Sequence, residues 1–300
     1  MNHSHTLLTR IRVYMSAISI LLFSISVLFI GFKGFNWGLD FTGGVVAEVV
    51  VDKELSASTI NEHLNEALDQ DVQLVSAGEV GRWSVRYTQI EENTAPIQTV
   101  FGSISDSVQV LNSSVVGPQV GQDMVEQGGL AIIACFVLTM LYLSYRFEWR
   151  LALGALAALI YDVIIVLGLF AMLQLEFNLT VLAAVLAVLG YSLNDSIIIA
   201  DRARELLRGN PNGQTSHLIN DAVKATLSRT LVTSGTTFVT VSCLWLLGGA
   251  SLEGFAIALC VGIVSGTWSS ISIGVTLPQL LKLSPSHYQP KVPTEEDERP

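Results

Sequence analysis

The sequence predicts a polytopic α-helical membrane protein of six transmembrane helices, with one ferredoxin-like α+β domain outside the bilayer. Three observations carry this. Half of the 300 residues are hydrophobic, only 14% are charged and the mean hydropathy is +0.52, too apolar for a chain whose whole surface meets water. Six apolar runs approach or exceed the length that a bilayer core requires. One long polar interval, residues 33–128, reads β, α, β, β, α, β, the split-βαβ order.

The first element is a polar stretch, residues 1–12, ending in Arg10 and Arg12, followed by a span over 13–32 whose apolar run is Tyr14 to Phe32. That run exceeds the core of a secretory signal and no A-x-A-like site follows it, so an uncleaved helix is predicted. As the chain leaves the membrane it carries GLDFTGG, with Gly38, Asp40, Gly43 and Gly44. The spacing is neither a Walker nor a Rossmann loop, so a turn into a strand is predicted, capped or pinned by Asp40.

In the polar interval, Val45 to Val51 is a β-branched strand. Ser56 or Ser58 caps a helix with Ile60, Leu64, Ala67 and Leu68 on one face. Val72 to Ser76 and Arg82 to Thr88 are strands, turned at Gly78 and Gly81. Thr94 and Pro96 open a second helix bearing Ile97, Val100, Phe101, Ile104 and Val108, and a last strand near Val108 to Val116 ends at Gly117 and Pro118.

Residues 129–281 hold the remaining spans: Leu130 to Tyr145, Leu151 to Leu173, Leu179 to Ala200, Leu231 to Leu247 and Phe255 to Leu281. The polar loop 201–228, with Gly209, Asn210, Pro211 and Gly213, is predicted to hold a short amphipathic helix with Leu218, Ile219, Ala222 and Val223 on its apolar side. An acidic tail, 282–300, ends the chain. With both termini in the cytoplasm, 12 of the 16 Lys and Arg residues fall on or near that face, which supports this topology and puts the α+β domain on the far side. The formal charge of −10 leaves no basic patch for nucleic acid. Cys135, Cys243 and Cys260 all lie in spans, with no disulfide or metal-ligand pattern.

The candidate functional residues are polar groups inside apolar runs. Asp195, preceded by Asn194, sits in the fourth span, and Asp162 lies about 16 Å into the third, near the midplane. Arg229 heads the fifth span, followed by Thr230, Thr233, Ser234, Thr236, Thr237 and Thr240. A titratable carboxylate, an arginine and a line of hydroxyls are what an ion path needs. Each also has a plainer role: carboxylates as helix-to-helix hydrogen-bond acceptors, Arg229 as an interface anchor, hydroxyls bonded to their own helix. Gly262 and Gly266 form a GxxxG suited to helix contact. No nucleophile, base and orienting group occur together, so no enzyme is predicted, and no cofactor or metal beyond a transported proton or sodium ion.

With GLDFTGG after the first span, GYSLNDSIIIADRARE in the fourth, SRTLVTSGTT at the fifth and LEGFAIALCVGIVSGTWSS in the sixth, the chain resembles the SecF family from about residue 10 to 283. That family is the smaller partner of SecD in bacterial protein export and belongs to the resistance-nodulation-division superfamily. The resemblance implies half of a pseudo-twofold bundle in the inner membrane, a periplasmic domain, a separate SecD chain, and contact with SecYEG, YajC, YidC and an unfolded preprotein. It implies that ion flow drives late steps of translocation, with Asp195 and Arg229 as coupling residues. If the two meet across the bundle, protonating Asp195 removes an attraction that is strong in low dielectric and lets helices shift. Ser228 stands where the family often has asparagine, and TEEDERP is more acidic than many family tails. Two other readings are half of a small-molecule exporter, which would carry larger periplasmic insertions, and a scaffold, which would need no ionisable groups in the bilayer.

Overall fold

The fold is described from a computed structural model, over residues 2–51, 56–68, 72–76, 81–87, 101, 108–116 and 118–289. Among the described residues, six helices are long and apolar enough to cross a membrane: α1 (Asn2–Lys33), α4 (Pro118–Arg146), α5 (Trp149–Leu173), α6 (Leu179–Gly209), α7 (Thr215–Leu247) and α8 (Ala250–Leu280). Central α8 packs against α1, α5, α6 and α7. The apolar windows of α5, α6 and α8 are half buried or more, whereas those of α1, α4 and α7 are buried by 17% or less. These outer helices present Leu, Ile and Val to what is hydrocarbon in a bilayer.

The soluble sheet is built from β2 (Gly44–Val50), β3 (Gln73–Ser76), β4 (Arg82–Tyr87) and β5 (Gln109–Val116), in the spatial order β3-β4-β2-β5, all antiparallel. This is the ferredoxin-like order. Alternation in β2 buries Val45, Ala47 and Val49 against Ile60 and Leu64 of α3 (Ala57–Leu68). The Ser56 hydroxyl caps α3 by accepting from the Thr59 amide at 3.2 Å. Ala67 is exposed, whereas Leu68 packs against this core. The helix predicted from Thr94 lies outside the described residues apart from Phe101, whose buried side chain joins this core, and Val108, which precedes β5 and packs against the same core.

Three boundaries differ from expectation. Helix α4 starts at Pro118, inside the interval 33–128, because proline at its first position favours helix initiation well before the hydrocarbon begins. The amphipathic segment of 201–228 is no separate helix: α6 continues to Gly209, and α7 begins at Thr215 and runs unbroken into the fifth span. GLDFTGG is more than a turn. It holds a short helix, α2 (Leu39–Thr42), directly after a strand, β1 (Asn36–Trp37), which pairs in parallel with β6 (Glu176–Phe177), just before α6. A methyl group at Gly121 would fall 2.4 Å from the Phe41 carbonyl, so only glycine lets α4 approach α2 this closely.

Candidate functional site

The sequence places a carboxylate on each of two adjacent core helices, and packing decides what surrounds them. On α6, Ser192, Asp195 and Ser196 share the buried face at i, i+3 and i+4. Helix α8 can lie against this face because of its GxxxG. A Cβ at Gly262 would sit 2.1 Å from Val188 Cγ2, and one at Gly266 would sit 3.0 Å from Ser192 Cβ. That contact brings Ser269 of α8 and Ser192 of α6 to one acceptor, the fully buried Asp162 of α5. Its Oδ2 accepts from Ser192 in a short bond and from Ser269 at 2.9 Å.

Asp195 is 1% exposed and faces α7. Its Oδ2 accepts from the Ser234 hydroxyl at 3.2 Å, and the Ser234 oxygen accepts from Thr267 of α8 at 2.9 Å. The other carboxylate oxygen of each aspartate, Oδ1, is buried with no hydrogen-bond partner among the described residues, as are the Ser196 and Thr230 hydroxyls. Two hydroxyl-lined carboxylates each retain an open oxygen, an arrangement able to take up a proton or a small cation. Ser192 and Asp195 are separated by about 4.5 Å of helix rise, so the two carboxylate groups are neighbours through α6.

Above them, α6 is tied to the α+β domain. The Asp40 carboxylate accepts from the Leu179 amide at 2.9 Å, capping α6 beside its own Asn178 cap, and the Gly38 amide donates to the Phe177 carbonyl at 2.8 Å. Arg86 of β4 pairs with Glu176 at 3.0 Å. Trp37, Phe41, Phe170 and Phe177 pack ring against ring at this junction.

Family models match in two places: the SecD/SecF GG motif over residues 28–54, and the protein export membrane protein SecD/SecF C-terminal domain over residues 97–283. The chain belongs to the SecF family. It is 40% identical over 278 residues to a SecF protein translocase subunit of Vibrio alginolyticus, covering 91% of this chain and 88% of that one. It is 37% identical over 291 residues to the SecF subunit of Escherichia coli O157:H7, covering 94% and 90%. The crystal structure of SecDF from Thermus thermophilus, a translocon-associated membrane protein, superposes with a TM-score of 0.79 at 32% identity over 90% of this chain. This chain spans only 37% of that SecDF chain.

Within this SecF-family bundle the predicted site residues separate. Gly38 and Asp40 sit at the head of α6, whereas Gly43, at φ 75°, closes α2 beside Gly121 of α4 and Gly44, at φ 150°, opens β2. Asp162 and Asp195 lie in the core. Asn194 is exposed, one position round the helix from its neighbour. Arg229 is also exposed and does not meet Asp195. It precedes Ser234 by five residues, about 140° round α7, and Thr230 occupies the facing position instead. Thr233 and Thr237 donate to carbonyls of α7 itself at 3.0 Å, the back-bonding role. Sequence reasoning missed Ser192 and Ser269 as partners of Asp162; the available signal was that Ser192 stands three residues before Asp195 and Ser269 three after Gly266. It also missed Arg12, which is buried and donates to the Gln279 side chain, pinning α1 to α8.

Proposed function

We propose that this chain is a SecF subunit of a protein translocase, works with a separate SecD chain in the bacterial inner membrane, and uses ion movement past Asp195 to drive late steps of export. Both termini are then cytoplasmic and the α+β domain periplasmic, as the distribution of Lys and Arg favours. The observation that carries the coupling is that one helix, α6, bears Asp195 and the Asp162 partner Ser192 in its middle and the α+β domain's attachments at its head. SecYEG, YajC, YidC and the preprotein are the further partners that the family implies.

The mechanism differs from the one expected from an Asp195–Arg229 pair. Buried with no countercharge within salt-bridge distance among the described residues, Asp195 depends on the Ser234 hydroxyl and on whatever proton or cation its open oxygen holds. Occupancy changes the balance between α6, α7 and α8, and α6 passes any displacement to β6, β1 and Asp40. A proton crossing the full potential supplies about 2.3 kcal/mol per 100 mV, enough to bias a two-state equilibrium substantially. The test is Asp195→Asn in cells lacking the native subunit. Export of a secreted reporter is expected to fail while insertion and SecD association persist. Normal export would leave only the scaffold role.

A further inference from the structure

At the membrane end where α1 begins, the corner between α4 and α5, the last turns of α6 and the 3₁₀ turn Pro285–Tyr288 enclose a polar cleft of about 560 Å³. Its lining includes Arg146, Glu148, Arg204, Arg208 and Tyr288. Charge is unevenly spent there. Glu148 is engaged by Arg150 at 2.5 Å and Arg146 by Asp201 at 2.7 Å. Arg204 donates only to the Arg146 carbonyl, at 3.4 Å, and the exposed Arg208 side chain has no partner among the described residues. Two positive charges are thus left without a carboxylate among the described residues.

The Tyr288 hydroxyl is buried in the same place with no hydrogen-bond partner among the described residues. Burial first, then the Glu148 carboxylate, pushes its phenol up to about 12, so at neutral pH it remains an O–H donor. The surroundings mark the height in the bilayer. Tyr145 is 93% exposed and Trp149 half exposed beside the cleft, and Arg150 stacks 4.6 Å over the Trp149 ring, as amphipathic rings and arginines do at the headgroup level. A basic pocket between membrane helices at that depth fits a phosphate-bearing headgroup.

We propose that this cleft binds the phosphate of an anionic phospholipid, with Arg204 and Arg208 as its charge partners and the Tyr288 hydroxyl as a donor. The lipid would join the α4–α5 corner and the carboxyl-terminal turn to the lower end of α6, the helix that carries Asp195. Its role goes beyond the export function proposed above and does not depend on it.

The test is native mass spectrometry of the full chain from detergent, supplied with phosphatidylglycerol, with phosphatidylcholine or with inorganic phosphate. The chain is expected to retain one phosphatidylglycerol and no phosphatidylcholine. Arg208→Gln, an exposed position whose change leaves the fold intact, should lower retention about fivefold, the worth of one arginine at a membrane surface. Tyr288→Phe should lower it as well. Arg202→Gln, whose guanidinium is tied to Glu205 on the same helix, should not. Equal retention of phosphatidylcholine, or equal loss with Arg202→Gln, would overturn the site. Inorganic phosphate binding as firmly as the lipid, with the lipid adding nothing, would overturn the lipid source.

Discussion

Asp162 and Asp195 have the same side chain and are equally buried but have different neighbours, which gives them different expected sensitivities. Asp162 holds two serine hydroxyls from two other helices, so Asp162→Ala leaves Ser192 without its acceptor and Ser269 with only the Gly266 carbonyl, at 3.2 Å. It should destabilise the bundle by about 1–3 kcal/mol, read as thermal unfolding in detergent, while Asp162→Asn, which keeps an acceptor oxygen, should lose less. Equal losses would show that the charge, and not the hydrogen bonds, matters there. Arg229→Gln should change unfolding by no more than about 0.5 kcal/mol, because the side chain is exposed and touches neither carboxylate. The carboxylates were legible in the sequence because a charge stands out in an apolar run. Their partners were not. Serine and threonine in membrane helices bond their own preceding turn by default, as Thr233, Thr236, Thr237 and Thr240 do here. Only the approach of α8 and α7 singles out Ser269 and Ser234.

At the scale of elements, the contact between α6 and α8 depends on glycine. Gly262→Leu should separate these helices, since even its first carbon would overlap Val188, and overpacking of this kind costs about 1–3 kcal/mol or more. The monodisperse fraction after solubilisation should fall. Gly190→Ala, with no neighbour within 4 Å of an added carbon, should leave it unchanged. The GxxxG and the strand alternation were readable because both are local periodicities. Helix ends were harder. Polarity marks where hydrocarbon stops, but a helix satisfies its own backbone in water as well as in lipid, so α6 and α7 run several turns past their apolar segments before Pro211 and Gly213 turn the chain. The role of Asp40 was half legible: a cap was expected, but of its own turn, whereas it caps α6, 139 residues away. No local pattern encodes a cap supplied across the fold.

For the whole molecule, the order of elements followed from hydropathy and strand pattern, and the β3-β4-β2-β5 sheet agrees with the ferredoxin-like reading. What the sequence did not reveal is how the two parts are joined: the β1–β6 pair, the Asp40 cap and the Arg86–Glu176 ion pair all meet at the head of α6. The central claim is that this junction transmits ion-driven motion from Asp195 to the α+β domain. Its most direct test is Asp40→Ala combined with Arg86→Ala, assembled with SecD in membrane vesicles, with gradient-driven ion entry and reporter export measured side by side. Ion entry should persist while export falls, because the ion site is intact and its attachment is not. Export that continues at the normal rate with both contacts gone would contradict it.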